Sequence, residues 1–124
     1  MLTYVIFAMG IGRIILGLAP FLAAGPSSRM MGFPKNHDTA TARLMARLFG
    51  VRDVGLGVLV FYALTHPAAL GFVLVFNALM DFGDLVAIGI PLVRRQGIDR
   101  AAWRSAAFAL PAGLGWLAVF SQLG

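Results

Sequence analysis

The chain has 124 residues, which is room for one domain, and its composition is that of a membrane protein. Hydrophobic residues make up 60% of it and charged residues only 12%, whereas soluble domains average about 45–50% apolar and about 25% charged residues. The net charge of +5 does not indicate a nucleic-acid partner, because the basic residues flank apolar stretches instead of lining one polar face. The absence of cysteine excludes disulfides, thiolate catalysis and cysteine-based metal sites.

The first predicted element is a membrane span over residues 2–25. It is interrupted only by Arg13 and is ended by Pro20 and the Gly25-Pro26 pair. Because no basic segment precedes its apolar part, we expect it to be retained and not cleaved as a signal peptide. Residues 26–38 are rich in Ser, Gly, Pro and charged side chains, which predicts a loop at the membrane surface.

Two further helices are predicted over residues 40–65 and 68–93. Asp38 and Thr39 are candidate N-caps for the first of them. The connection between the two is short, so we expect them to form a tight antiparallel hairpin. A fourth helix is predicted over residues 101–123, with Asp99 as its cap and a kink at Pro111.

These elements predict an all-α fold, an integral membrane four-helix bundle in a single domain over residues 1–124. The basic residues concentrate in the first and third connections, so the positive-inside rule places both connections in the cytoplasm and both termini outside. The composition, rich in Ala, Gly and Arg with one Lys, favours a bacterial cytoplasmic (inner) membrane. We expect the four arginines that open helices to bind lipid phosphates. The basic residues of the two connections are Arg29, Lys35, Arg43, Arg47, Arg94, Arg95, Arg100 and Arg104.

A faint internal repeat favours two tandem helical hairpins. Gly12-Arg13 precedes a proline by the same spacing as Gly83-Asp84, and a Gly-Leu-Gly triplet recurs at residues 55–57 and 113–115. Chance similarity is the alternative, because Gly and Leu are abundant in the chain.

A polar stripe in the third helix is the strongest indication of a functional site. Between residues 70 and 93 the polar side chains are Asn77, Asp81 and Asp84, and their i, i+4, i+7 spacing puts them on one helical face. At a rise of about 1.5 Å per residue, Arg13 lies roughly 16 Å deep, Asp53 roughly 18 Å and Asp81 roughly 20 Å. The sequence therefore predicts a charged layer across three helices at the bilayer midplane, with Arg52 level with Asp53. Glycines flanking the layer would let the helices approach closely: Gly10, Gly12, Gly17, Gly50, Gly55 and Gly57.

The charges in this layer do not balance. Asp53, Asp81 and Asp84 face two guanidinium groups, and an unmatched carboxylate in a medium of low polarity takes up a proton and becomes a candidate general acid. We assign the proton to Asp81 or Asp84, because two carboxylates on one helix face disfavour double ionisation. The predicted catalytic residues are thus Asp81, Asp84 and Asp53, and the predicted ligand-binding residues are Arg13, Arg52 and Asn77.

Other polar and aromatic residues have plainer interpretations. His37 and His66 lie in connections on opposite membrane faces, so no metal site and no cofactor is predicted. Trp103 and Trp116 fit interfacial or lipid-facing positions.

Two segments of the chain resemble a known family. The segments Arg47–Gly57 (RLFGVRDVGLG) and Ala78–Asp84 (ALMDFGD) are similar to an uncharacterised family of small four-span membrane proteins, domain of unknown function 4267. The resemblance implies the four-span architecture and points again to Arg52, Asp53, Asp81 and Asp84. It implies no substrate, reaction or cofactor.

The leading functional hypothesis is a membrane protein that binds a lipophilic small molecule in a cavity above the charged layer. Its bolder form is acid catalysis of an isomerisation, a cyclisation or an epoxide opening. One alternative is a purely structural layer that fixes helix register. A second is a proton-coupled transporter or channel acting as a homo-oligomer, and a third is an accessory subunit of a membrane complex.

Overall fold

The computed structural model describes residues 1–123, which form five α-helices and one 3-10 turn and contain no strand. The predicted all-α class is therefore confirmed. Two of the helices, α1 and α4, are long and apolar enough to cross a membrane. The helices are α1 (Leu2–Leu22), α2 (Ala24–Met31), α3 (Ala40–Leu64), α4 (Pro67–Val93) and α5 (Asp99–Ser121), with the 3-10 turn at Lys35–His37.

The helix starts follow local capping chemistry. The Thr39 hydroxyl accepts a hydrogen bond from the Ala42 N–H at 3.1 Å and caps α3. Pro67 occupies the first turn of α4, where its missing N–H has no helical partner to lose. The predicted cap at Asp99 is wrong, because Ile98 is the N-cap and Asp99 is the first residue of α5. A carboxylate there still interacts favourably with the helix dipole.

The segment predicted as a surface loop contains a helix, α2. Pro26 is compatible with this helix because it lies in the first turn, where the backbone N–H groups need no helical acceptor. Gly32 ends α2 in the left-handed conformation, with φ of 92°. The Gly32 and Phe33 N–H groups donate to the last carbonyls of the helix, at 3.0 and 3.1 Å, so α2 is a closed unit and only residues 32–39 form the loop.

Glycines bring α1 and α3 into direct backbone contact. A Cβ on Gly17 would lie 2.6 Å from the Gly50 carbonyl oxygen, and one on Gly57 would lie 2.9 Å from the Gly10 oxygen. Four of the six glycines predicted to allow close approach therefore do so. Gly12 and Gly55 do not, because a Cβ on either would meet nothing within 4 Å.

The helices contact one another as two antiparallel pairs, α1 with α3 and α4 with α5. The predicted short turn between α3 and α4 is confirmed and the two helices contact each other, but α3 packs more extensively on α1, and α4 on α5. The reason is the distribution of small residues, since α3 presents its glycines to α1, while Gly113 of α5 receives the Phe82 ring of α4. This is the pairing that two tandem hairpins would have.

The apolar core occupies one end of the bundle, beside the α3–α4 turn and both chain ends. Its most buried members include Ile6, Val60, Leu74 and Trp116. Toward the opposite end, where α2 lies, the two helix pairs separate. Large apolar side chains are exposed on the outer faces of all four long helices.

Candidate functional site

Arg13 and Asp81 form a buried ion pair between α1 and α4. Arg13 Nη1 donates to Asp81 Oδ2 at 2.9 Å, and Nη2 donates to Oδ1 at 3.0 Å. Arg13 is 6% exposed and Asp81 is 5% exposed. Two parallel bonds of this kind fix the orientation of both side chains as well as their separation, so this pair ties the two helix pairs together.

Arg52 and Asp84 form a second two-pronged pair, between α3 and α4. Arg52 Nη1 donates to Asp84 Oδ1 at 2.9 Å, and Nη2 donates to Oδ2 at 2.8 Å. These side chains are 29% and 24% exposed. The Arg52 guanidinium also lies 4.7 Å from the Phe49 ring centroid, a cation–π contact that holds its outer face.

Asp53 links the two pairs into one network. Its Oδ1 accepts from Arg52 Nη2 at 3.2 Å and from Arg13 Nη2 at 3.5 Å. α1, α3 and α4 therefore deliver five charged side chains to one level, and these are five of the six predicted site residues. The helix spacing places them there because one charged residue or pair falls near the middle of each helix.

The structure assigns the surplus carboxylate differently from the sequence analysis. Asp81 and Asp84, the predicted proton carriers, each have a guanidinium group of their own. Asp53 Oδ1 accepts from Nη2 of each arginine, and each of these nitrogens also donates to Asp81 or Asp84. Asp53 Oδ2 makes no hydrogen bond within residues 1–123. Asp53 is thus the carboxyl group in excess of the guanidinium groups.

Asn77 and Arg52, which were predicted to bind ligand, take other positions. Asn77 is fully buried, and its Nδ2 donates to the Val73 carbonyl of its own helix at 3.0 Å. Its Oδ1 has no partner in the described part of the chain. Neither residue lines the cavity described next, so Arg52 acts on that cavity only through Asp53 and Asp84.

A cavity of about 910 Å³ lies between the two helix pairs. Its volume is in the range of small-molecule sites. The floor is formed by Arg13, Asp53, Asp81 and Trp116, and the walls are mostly apolar. Among the wall residues are Leu16, Met45, Phe49, Ile88, Phe108 and Ala109.

Trp116 was missed by the sequence analysis, which assigned both tryptophans to interfacial or lipid-facing positions. Trp103 is 65% exposed, but Trp116 is 2% exposed and lines the cavity floor. Its ring centroid lies 5.9 Å from Arg13 Cζ. Gly113 could have indicated this position, because a glycine one turn before Trp116 allows this face of α5 to pack closely against α4.

The end of the cavity away from the charged network lies beside α2 and the loop that follows it, and we call this end the mouth. Ser27, Ser28 and Arg29 line this mouth. Arg43 Nε and Nη2 donate to Asp38 at 2.7 and 2.9 Å, and this guanidinium holds the pKa of the Asp38 carboxyl below its usual range.

Two arginines expected to bind lipid phosphates have protein partners. Arg43 is engaged by Asp38, and Arg104 Nη1 donates to the Met30 carbonyl at 2.7 Å. The second bond ties α2 to α5 across the mouth. In residues 1–123 no three His, Cys, Asp or Glu side chains are grouped so that they could hold a metal ion.

Comparisons with known proteins give a family for this chain. A search of curated proteins and a search of solved structures each found no match. A family model matches residues 10–120, a range that contains both segments of the resemblance and all six predicted site residues. The chain therefore belongs to the family described as a domain of unknown function (DUF4267).

Proposed function

We propose that the chain is a four-span integral membrane protein that binds a lipophilic small molecule in the cavity above the charged network. α1, α3, α4 and α5 contain 21, 25, 27 and 23 residues, and about 20 residues span the hydrocarbon core. α1 and α4 meet the composition of a span by themselves. α3 and α5 carry charges but turn apolar side chains outward, including Leu44, Leu48, Val51, Leu114 and Leu117.

The proposed orientation follows from the basic residues. Antiparallel packing of the four long helices gathers the α2 segment and the α4–α5 turn at one end of the bundle, and eight of the ten basic residues lie in or beside these connections. The positive-inside rule puts that end in the cytoplasm and both termini outside. The setting is a bacterial cytoplasmic membrane.

The observation that carries the ligand-binding proposal is the position of the charged network at the floor of a large apolar cavity. A purely structural network would have all its polar atoms paired within the protein, because a buried charge costs free energy unless its polar atoms are paired. Here Arg13, Asp53, Asp81 and Asp84 all line the cavity. An apolar molecule that enters it meets a few fixed polar groups, which is the usual composition of small-molecule sites.

The chemistry proposed for this site is acid catalysis, with Asp53 as the proton donor. Asp53 is the carboxyl group without a guanidinium of its own, and its Oδ2 has no hydrogen-bond partner within the described residues. A protonated carboxyl at the end of an apolar cavity would donate to an alkene, an epoxide or a carbonyl group of the ligand. Arg13 would then stabilise the carboxylate left behind, and Asp81 would hold Arg13 in place.

The test is to measure what the purified protein carries. We expect a lipophilic molecule, extracted with organic solvent and quantified by mass spectrometry per mole of protein, to be lost in Ala109→Phe, because Ala109 lines the cavity. The matched control is Ala107→Phe, on the same helix but exposed and away from the cavity. Equal loading of the two variants would refute binding in the cavity.

Catalysis is tested separately from binding. Asp53→Asn would still bind the molecule but not convert it, so membranes of cells that express this variant would accumulate a compound that the wild type consumes. Chromatographic retention as well as mass is needed, because an isomerisation leaves the mass unchanged. Identical lipid extracts from both would leave binding in place and refute Asp53 as the acid.

A further inference from the structure

The mouth of the cavity has a charge character opposite to that of its floor. Arg29 lines the mouth and forms no salt bridge within residues 1–123. The nearby carboxylate, Asp38, accepts hydrogen bonds from two nitrogens of Arg43, Nε and Nη2. The mouth therefore presents a free cation, with the hydroxyl groups of Ser27 and Ser28 beside it.

The whole net charge of the protein lies at this end. The mouth end carries eight of the ten basic residues and two of the five acidic ones, Asp38 and Asp99, so its net charge is +6. The floor carries the other two basic and three acidic residues, so its net charge is −1 when all are ionised. An anion is thus attracted to the mouth, whereas the floor, whose two guanidinium groups are matched by Asp81 and Asp84, offers it no surplus positive charge.

The distance between the two ends is long, and the wall between them is apolar. On the cavity face of α3, Asp53 at the floor and Ala42 near the mouth are eleven residues apart, which corresponds to about 16 Å. Met45, Ala46 and Phe49 lie between them on the same face. A molecule that fills this space has an apolar body between its two ends.

We propose that the occupant is an anionic amphiphile, with its acidic head group at Arg29 and its apolar body extending to the floor beside Asp53 and Trp116. This inference rests on the proposed ligand-binding function and adds to it the chemical class and the orientation of the ligand. In this orientation the group that meets the acid at the floor is the distal end of the apolar body. The head group is held by Arg29, Ser27 and Ser28.

The geometry supplies a reporter for the orientation. The chain has two tryptophans, so Trp103→Phe leaves Trp116 at the floor as the single tryptophan, which is excited selectively at the long-wavelength edge of its absorption, where tyrosine does not absorb. The probes are 12-bromododecanoic acid, with bromine at the distal end, and 2-bromododecanoic acid, with bromine beside the head group. Bromine quenches tryptophan on contact, and the measurement is made in phosphatidylcholine vesicles at alkaline pH, where the acids are ionised.

We expect the 12-bromo acid to quench Trp116 and the 2-bromo acid not to do so. Arg29→Gln raises the Kd of the 12-bromo acid about fivefold, the factor that corresponds to one cation near a membrane surface. The neutral 12-bromododecanol binds Arg29→Gln and the parent protein equally. Arg95→Gln is the matched control, because Arg95 lies at the same end but does not line the cavity, and it leaves all Kd values unchanged.

Each other outcome has a distinct meaning. Quenching by the 2-bromo acid alone would place the head group at the floor and overturn the orientation. Equal Kd values for acid and alcohol, unaffected by Arg29→Gln, would overturn the anionic class while leaving a lipophilic ligand in the cavity. Quenching by no probe would overturn both proposals.

Competition with an anionic lipid distinguishes the two possible sources of the amphiphile, the membrane itself and a free molecule. Loss of the 12-bromo acid signal when phosphatidylglycerol is added to the vesicles identifies an anionic membrane lipid as the occupant. Persistence of the signal identifies a free amphiphile. Both results support an anionic head group.

Discussion

The three carboxylates of the network differ in what their removal would cost, and the order can be worked out from the contacts. Asp81→Asn leaves Arg13, 6% exposed, with the single 3.5 Å contact to Asp53. Breaking a buried ion pair so that one charge stays buried costs about 3–5 kcal/mol. Asp81→Asn is therefore expected to be the most destabilising of the three substitutions.

The other two substitutions are milder for different reasons. Asp84→Asn affects a pair whose side chains are 24% and 29% exposed, and Arg52 keeps Asp53 at 3.2 Å. A cost of about 1–2 kcal/mol is expected for such a half-buried, charge-assisted pair. Asp53→Asn leaves both two-pronged pairs intact and removes the surplus negative charge, so its free energy of unfolding should change by less than about 1 kcal/mol.

The assay is the free energy of unfolding in mixed micelles, obtained by titrating SDS and following the fluorescence of Trp116 in Trp103→Phe. The expected order of destabilisation is Asp81→Asn, then Asp84→Asn, then Asp53→Asn. Asp53→Asn combines near-wild-type stability with loss of chemistry at the cavity floor. A large destabilisation by Asp53→Asn, equal to that of Asp81→Asn, would refute the assignment of Asp53 as the surplus carboxyl.

Three further outcomes are expected. Gly17→Ala destabilises by about 1–3 kcal/mol because its Cβ would meet the α3 backbone at 2.6 Å, whereas Gly12→Ala, which meets nothing within 4 Å, is neutral in the same SDS titration. The Asp38 pKa is lowered chiefly by its hydrogen bond to Arg43, so this pair stabilises the fold above the unfolded-state pKa of 3.8, and the contribution is lost as pH falls below about 4. In Asp38→Asn the free energy of unfolding should therefore fall less steeply over this acidic range than in the wild type. Single cysteines, introduced into a chain that has none, react with a membrane-impermeant maleimide in intact cells when placed in the α3–α4 turn and not when placed in the α4–α5 turn.

The results that contradict these expectations are equally specific. Equal loss of stability in the two glycine variants would mean that α1 and α3 do not touch through Gly17. Parallel pH profiles of wild type and Asp38→Asn would show that the ion pair at the mouth does not contribute to folding. Labelling of the α4–α5 turn from outside would reverse the proposed topology.

The helices could be predicted from the sequence because their signals are local. Thr39, Pro67 and the apolar runs define where three of the long helices begin, and the predicted boundaries lie within three residues of those observed. α2 was missed because its eight residues include Gly, Pro and two Ser, a composition that predicts a loop. Its formation depends on the closing geometry at Gly32 and on the Arg104 bond to Met30, and the second of these comes from a helix far away in the chain.

The charged layer was also predictable, because a carboxylate or guanidinium in an apolar helix needs a partner at its own depth. The spacing of the charged residues along the sequence did not determine which carboxylate pairs with which arginine. The sequence predicted that Asp81 or Asp84 carries a proton, because the two carboxylates share a face of α4. In the folded chain they meet arginines from different helices, and this leaves Asp53 as the shared group.

Hydrophobic periodicity and charge position are properties of single helices, and they determined by themselves that this protein is helical and has a layer of charged side chains near the middle of three helices. The pairing of α1 with α3 and of α4 with α5, the opening between those pairs, and the place of Trp116 at the bottom of that opening were decided only by tertiary structure. The physical reason is that helix packing depends on contacts between surfaces, and a difference of one methyl group at a glycine such as Gly17 or Gly113 selects which surfaces can meet.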